Sequence, residues 1–347
     1  MSGLGDVIIT ARLARGLTQS QLAVIIDVRQ PTLHRYENDL REPEPEILVR
    51  LAGAFGVTEE FLRHAGKLYG AMAVDVHMRR RATEKATIWR RLEAKLNEYR
   101  MHASKLFEQV SLHATQVVPT FDPIDTSPDV AARFARMQWR MPVGPVRNLF
   151  GWLEAAGGIV LVEDFGTSRV DGLSQWINDY PVVLLNLRAP VDRLRWTTAH
   201  ELGHLCLHST FIAEDPETEA NAFAAEFLMP AETIRPQLRN LTSGRLVDLK
   251  RQWGVSMQAL IERSHQLSVL TAGQRTSMYK HFSRMGWRVR EPFSDELAPE
   301  IPRLTATITE TLLAKGYSLE ELSRLAGFAS ADHNTMFRPS GPALRAV

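Results

Sequence analysis

His200-Glu201-Leu202-Gly203-His204 constrains this chain more than any other stretch, because it can build half of a hydrolytic zinc site within about one turn of helix. Residues four apart share a helix face, so both imidazoles can address one ion. Glu201 sits about 100° round from His200, which lets its carboxylate reach a metal-bound water without ligating the metal. Zinc lowers the pKa of that water to about 7, and the glutamate takes the proton. A coincidental match to the pattern would usually lie in a loop or carry a proline. Here the flanks are Trp196-Thr197-Thr198-Ala199 and Leu205-Cys206-Leu207, with no proline between Val191 and Asp215. The pattern predicts a buried helix whose polar positions face a metal.

A catalytic zinc takes three protein ligands and keeps one open position. His208 continues the four-residue spacing, but it lies roughly 12 Å along the helix from His200 and cannot share its ion. The longer H-E-x-x-H-x-x-G-x-x-H arrangement needs glycine and histidine where this chain has Leu207 and Thr210. The next carboxylates lie in Glu217-Thr218-Glu219-Ala220-Asn221-Ala222-Phe223-Ala224-Ala225-Glu226-Phe227-Leu228-Met229-Pro230, a helix running into a proline stop. Ala220, Phe223, Ala224, Phe227 and Leu228 share one apolar face. Glu217 borders that face, while Glu219 and Glu226 lie round toward solvent. Glu217 is the expected third ligand and Glu219 the alternative. Glu226 reads as a solvated charge, and Asn221 as the group that orients Glu217. Glu217→Ala should then abolish metal binding, and Glu219→Ala should spare it.

HELGH followed by ETEANAFAAEFLMP resembles the ImmA/IrrE family of bacterial and phage metallopeptidases. The likeness extends upstream through Gly158-Ile159-Val160-Leu161, Val170-Asp171-Gly172-Leu173-Ser174 and Val182-Val183-Leu184-Leu185-Asn186, and covers about residues 126–230. That family is similar to thermolysin-like zincins, whose third ligand is a glutamate with an Asp or Asn four residues later. Glu217 and Asn221 fit that spacing. The resemblance implies Zn2+ as cofactor, His200, His204 and Glu217 as ligands, and Glu201 as the catalytic base. It also implies a protein substrate, a transcriptional repressor or similar regulator, cleaved in a stress or mobile-element response.

Residues 4–64 carry an independent signal. Leu4 to Arg15 has an apolar helical face ended by Gly16. Thr18 can cap Gln19 to Ile26, with Gln21 completing a capping box. Asp27-Val28 makes the turn, and Arg29-Gln30-Pro31-Thr32-Leu33-His34-Arg35-Tyr36-Glu37 opens the next helix with its proline early, where it is tolerated. Helix, tight turn and second helix are the geometry of a helix-turn-helix. Gly16 through Glu37, with Arg41-Glu42-Pro43, resembles the Cro/repressor-type (XRE) family. On that resemblance Gln19, Gln30, Thr32 and Arg35 face DNA, where Gln and Arg suit adenine and guanine edges. Arg29 stands where the family often has a small polar residue.

Charge qualifies that reading. Residues 1–66 hold 7 Lys+Arg against 9 Asp+Glu, so the module lacks the basic footprint of phosphate binding, and a protein-docking module is the competing reading. Residues 67–105 hold 10 Lys+Arg against 4 Asp+Glu, with a run at Arg79-Arg80-Arg81. This stretch either supplements DNA contacts or forms a solvated helix face.

The expected architecture is α+β and mostly helical. A helix-turn-helix over 1–66 and a basic helical linker over 67–118 precede a zincin-like core with a small sheet over 119–235, then a helical C-terminal region over 236–347. Strands are expected at 158–164, 170–177 and 181–186, and helices at Ser127–Gln138 and Val146–Ala155. Val255 to Leu260 reads as a small helical turn, Ser318 to Glu321 as a capping box, and the chain from Asp332 as loose. Gly286-Trp287-Arg288 and Arg290-Glu291-Pro292 suggest no chemistry, and no internal repeat is apparent. No apolar run approaches the roughly 18 residues of a membrane span, no signal sequence opens the chain, and Cys206 stands alone. These features point to the cytoplasm, with no membrane partner. The expected partners are DNA and a protein substrate, with room for a homodimer. The alternative function is a non-enzymatic transcription factor whose peptidase-like domain senses a ligand or partner.

Overall fold

Thr18 opens its helix as the sequence predicts: its hydroxyl accepts from the Gln21 amide at 3.2 Å, and the Gln21 side chain accepts from the Thr18 amide at 2.9 Å. The computed structural model describes residues 3–64, 86–110, 114–177, 180–209 and 214–340. Within them the chain is mostly helical, with one small sheet, as expected. It divides into two compact units, one of residues 1–113, 175–182 and 303–347, the other of 114–174 and 183–302.

The first unit begins with α1 (Leu4–Ala14), α2 (Gln19–Ile25), α3 (Gln30–Glu37), α4 (Pro45–Phe55) and α5 (Glu59–His64). Asp27 turns the chain between α2 and α3 at φ 56°, a left-handed position that Asp tolerates better than most residues. Val7, Ile8, Ala11, Leu22, Leu33, Leu51 and Phe55 form the core. A buried ion pair, Arg12 with Glu37 at 2.5 and 3.1 Å, ties α1 to the end of α3. The long α6 (Ala86–Gln109) packs along α1. Several of its charges are used internally: Glu98 pairs with Arg15 at 2.6 Å, Lys105 with Glu60 at 2.8 Å, and Arg100 is buried. The arginine run at 79–81 lies outside the described residues.

The second unit holds α7 (Pro128–Gln138), α8 (Leu149–Ala155) and β1 (Ile159–Glu163); β2 (Gly172–Ile177) and β3 (Tyr180–Asn186) complete a sheet in the order β1-β3-β2, their residues 175–182 belonging to the first unit. The central β3 is buried from Val182 to Asn186, as a middle strand should be. Helix α8 starts three residues later than its hydrophobic pattern suggests. Asn148, at φ 50°, caps it by accepting from the Gly151 amide. After β3 come α9 (Val191–Leu207), α10 (Pro216–Leu228), the short α11 (Ala231–Ile234), α12 (Ser243–Trp253), α13 (Met257–Gln266) and α14 (Ala272–Arg284). Among the described residues no helix is long and apolar enough to cross a membrane.

The expected small turn at Val255–Leu260 is a full helix, α13, capped twice. Ser256 caps it, and Glu291 accepts from the Met257 and Gln258 amides at 2.7 and 2.9 Å. The same carboxylate takes a hydrogen bond from the buried Lys250 ammonium at 2.8 Å, which also reaches Asp192 at 2.5 Å and Ser294 at 2.8 Å. The Arg290-Glu291-Pro292 segment therefore has a role the sequence did not disclose. It stitches α13 and α12 to the first turn of α9, the helix that carries HELGH.

From residue 303 the chain belongs to the first unit, through α15 (Leu304–Ala314) and α16 (Leu319–Leu325). These two helices repeat α1 and α2 at an offset of 300 residues, which corrects the expectation of no repeat. The main-chain bonds Gly16 to Leu13, Leu17 to Arg12, Ile26 to Leu22 and Val28 to Ala23 recur as Gly316 to Leu313, Tyr317 to Leu312, Ala326 to Leu322 and Phe328 to Ser323. The Thr18 capping box recurs at Ser318, and the left-handed Asp27 recurs as Gly327 at φ 88°. Only Leu4, Ile8, Leu13, Ala14, Gly16 and Leu22 keep their identities through that stretch, too few for the repeat to be visible by reading. The copy stops where α3 would begin. There Asn334 is buried and folds its own segment back. Its Oδ1 accepts from the Phe337 amide at 2.8 Å, and its Nδ2 donates to Ser323 at 3.0 Å. The segment expected to be loose from Asp332 is thus held as far as Phe337. The copy is fastened by a bridge between Val57 and Phe328, and by His102 stacked between Phe61 and Phe328 at 4.3 and 3.7 Å. Burial pushes the His102 imidazole down to about 3, so it is neutral there.

Candidate metal centre and nucleic-acid interface

The candidate metal centre is built by α9 and α10 crossing at close range. Gly203 makes this possible. A side chain there would meet the Ala220 Cα and Phe223 Cβ, each at 3.1 Å. The glycine inside HELGH is therefore a packing residue, and it brings the start of α10 to the imidazoles. The sequence signal was present, because a glycine in mid-helix costs about 1 kcal/mol relative to alanine and calls for a reason.

His200, His204 and Glu217 converge, each offering one donor atom within 4.8 Å of the others. The two Nε2 atoms are 3.1 Å apart, and each lies 3.4–3.5 Å from a Glu217 carboxylate oxygen. Donors about 2.1 Å from one zinc in a tetrahedron are about 3.4 Å from each other, so this donor set fits a zinc ion. Burial alone would raise the Glu217 pKa, but hydrogen bonds and charge from both histidines hold it well below the usual carboxylate range. Burial alone would lower His200, but the Glu217 hydrogen bond and the charges of Glu201 and Glu217 raise it above its ordinary value.

Glu201 is buried on α9, and Ser174 of β2 donates to its Oε2 at 2.7 Å. Sequence reading missed Ser174. Asn221, expected to orient Glu217, instead holds His200: its Oδ1 accepts from His200 Nδ1 at 3.2 Å, while its Nδ2 donates to the Glu217 main-chain oxygen at 2.8 Å. One helical turn sets Asn221 beside that carbonyl, whereas the Glu217 carboxylate extends toward the Nε2 atoms.

Glu219 and Glu226 do not lie out in solvent as helical periodicity suggests. Glu226 is buried and pairs with Arg263 and with Arg133. Glu219 meets the fully buried His208, Oε2 to Nε2, at 2.9 Å. The reason is tertiary: α7 covers one flank of α10 and the end of α9 another, so the helix has little free side. His208 caps α9, and its Nδ1 lies 3.0 Å from His204 Nδ1. Burial lowers the His208 pKa, and the hydrogen bond to Glu219 opposes that. Arg195, on the same helix as the histidines, is committed to Gly254, Val146 and Glu300 and does not turn to the site. Tyr180 packs edge-on to Phe107. Cys206 is a buried core residue, and burial pushes its thiol pKa up.

In the first unit, α3 presents Arg35 to solvent, with Gln30 and Thr32 half-buried. Gln19 is the most constrained of the four expected DNA contacts. Its Nε2 donates to Glu37 at 2.6 Å and its Oε1 accepts from Gln30 at 2.7 Å, which extends the Arg12–Glu37 pair to the head of α3. Arg29 caps α3 without a side-chain hydrogen bond, consistent with its unusual identity at that position.

Two family models match the chain. Residues 8–62 match the Helix-turn-helix model, and residues 154–265 match the IrrE N-terminal-like domain of a peptidase family. No curated protein matches the chain as a relative.

Proposed function

We propose that this chain, a helix-turn-helix joined to an IrrE-like domain of a peptidase family, is a DNA-binding transcriptional regulator that is also a zinc-dependent, site-specific endopeptidase. One observation carries the proposal. Two imidazole nitrogens and a carboxylate converge at the spacing of zinc ligands, beside a buried glutamate outside that donor set.

His200, His204 and Glu217 would hold Zn2+, whose Lewis acidity would polarise the scissile carbonyl and lower the pKa of a water to about 7. Glu201 takes the proton of the attacking water and passes it to the leaving amine. Ser174 holds that carboxylate in place. Strand β2 is an edge of the sheet and carries Ser174, so an extended substrate segment that adds to this edge passes Glu201. The substrate is a protein, a repressor or similar regulator, and its cleavage relieves repression in a stress or mobile-element response. DNA as a partner puts the chain in the cytoplasm, and a homodimer would bring two α3 helices to two half-sites. A survey of new protein N-termini in cells tests the proposal: it should find cleavages that depend on Glu201.

Purified protein is expected to carry about one zinc per chain. His204→Ala and Glu217→Ala should each lose it by metal analysis, and full occupancy in either variant would overturn the ligand set. Protons compete with zinc for the His200 nitrogen. Because that imidazole is raised above its ordinary value, zinc should begin to leave on acidification at a higher pH than an unperturbed histidine would predict.

Gln30→Ala and Arg35→Ala are expected to weaken binding to one promoter by roughly 1–3 kcal/mol each, as for lost base contacts. Neutralising Arg79, Arg80 and Arg81 together should weaken binding to all sequences and flatten its salt dependence. Fragment titrations at two salt concentrations separate these effects. Equal binding to every fragment would make the module a protein-docking device.

A further inference from the structure

We infer that His208 and Glu219 are positioning residues, a carboxylate–imidazole chain that fixes the tautomer of His204 and so sets the metal affinity of the site. The inference rests on the zinc-site reading above, and it concerns two side chains that the reading leaves without a task.

Direction is what makes the chain informative. His204 turns Nε2 toward His200 and Glu217, so ligation needs the lone pair on Nε2 and the proton on Nδ1. That Nδ1 lies 3.0 Å from His208 Nδ1, and His208 Nε2 lies 2.9 Å from Glu219 Oε2. An ionised carboxylate only accepts. His208 must therefore donate through Nε2, which leaves its Nδ1 to accept from His204. The reverse order of donors would put the His204 proton on Nε2, where it blocks a metal.

Burial keeps this order in place. His208 is fully buried at the end of α9, and its main-chain amide bonds to the His204 carbonyl at 2.9 Å. The His208 ring is therefore shielded from solvent. A buried imidazole costs stability unless both nitrogens are satisfied, and an apolar side chain would fill the same core without that cost. The Glu219 side chain keeps 28% of its exposure, so the carboxylate end of the chain reaches solvent while the imidazole does not. The two ligands are thus oriented by different means, His200 by an amide oxygen and His204 by a charged relay.

The test is zinc affinity of the full-length chain, measured by competition with a chromophoric chelator, beside the thermal unfolding temperature of the metal-free protein. Glu219→Gln is the main variant, because an amide can donate as well as accept and no longer imposes the direction. It should bind zinc about 10-fold more weakly, within the 10–100-fold range for partners of metal-ligating histidines, with the metal-free unfolding temperature unchanged. The contact with His208 thus replaces the expectation from periodicity that zinc binding is indifferent to Glu219. His208→Leu should lose at least as much, and His208→Gln, which can still accept and donate, should recover part of it. A merely structural role would lower the unfolding temperature in step with zinc affinity and would not separate Leu from Gln. If His208→Leu does not fold, Glu219→Gln decides alone. Affinity within twofold of wild type in Glu219→Gln overturns the relay and leaves the zinc site standing. A wild-type chain that binds no zinc overturns both.

Discussion

Glu201→Gln is expected to retain about one zinc per chain and to lose proteolysis by 10²–10⁴-fold, the usual contribution of a positioned general base. Glutamine keeps the shape of the side chain and can still accept from Ser174, whose hydroxyl lies 2.7 Å from Glu201 Oε2. It cannot take a proton from water. Glu201 is also absent from the set of three converging donors, so the metal has no reason to leave. The measurement pairs zinc content with the rate of appearance of new N-termini. Undiminished cleavage would remove Glu201 from the chemistry and favour a sensor in which zinc only holds the fold. Lost cleavage together with lost zinc would mean that the side chain supports the metal rather than the reaction.

Lys250→Met is expected to destabilise the second unit by about 3–5 kcal/mol, the cost of breaking a buried charge cluster by removing one partner. The ammonium is fully buried among Asp192, Glu291 and Ser294. Methionine leaves two carboxylates facing one another in the core with no cation between them. Asp192 lies in the first turn of α9, so zinc affinity should fall as well. Urea unfolding followed by far-UV circular dichroism gives the stability change. A loss below about 1 kcal/mol would show that the carboxylates find water or take up protons instead. A triple variant that also replaces Asp192 and Glu291 with apolar residues of similar volume should recover much of the loss, because the penalty lies in the unpaired charges.

The composition of the site was legible because its spacing is local. His200 and His204 must share a helix face, and Glu217 borders the apolar face of the next helix, so periodicity points to those three residues, with Glu219 left as the alternative. The Thr18 and Ser318 capping boxes were legible for the same reason, since donor and acceptor lie three residues apart. Ser174, the His208–Glu219 contact, the Lys250 cluster and the Asn221–His200 contact were not. Each joins residues on different elements, and their meeting depends on tertiary packing: α9 against α10 for the two histidine contacts, β2 against α9 for Ser174, and α12 and the Glu291 segment against α9 for Lys250. Periodicity also misjudged Glu219 and Glu226, because it assumes one solvated face and α10 is covered on more than one.

The sequence by itself determined which residues can ligate a metal, which can take a proton, and where the helices opened by the Thr18 and Ser318 capping boxes begin. All of these follow from residue chemistry and from interactions within about one turn. Only the tertiary structure decided which nitrogen of His204 turns toward His200 and Glu217, why Gly203 stands inside the motif, and that residues 304–328 repeat the fold of residues 4–28. Those outcomes are set by close packing between segments far apart in the chain. A few ångströms of helix approach select one tautomer or one partner, and two stretches with few shared side chains can satisfy the same backbone hydrogen bonds.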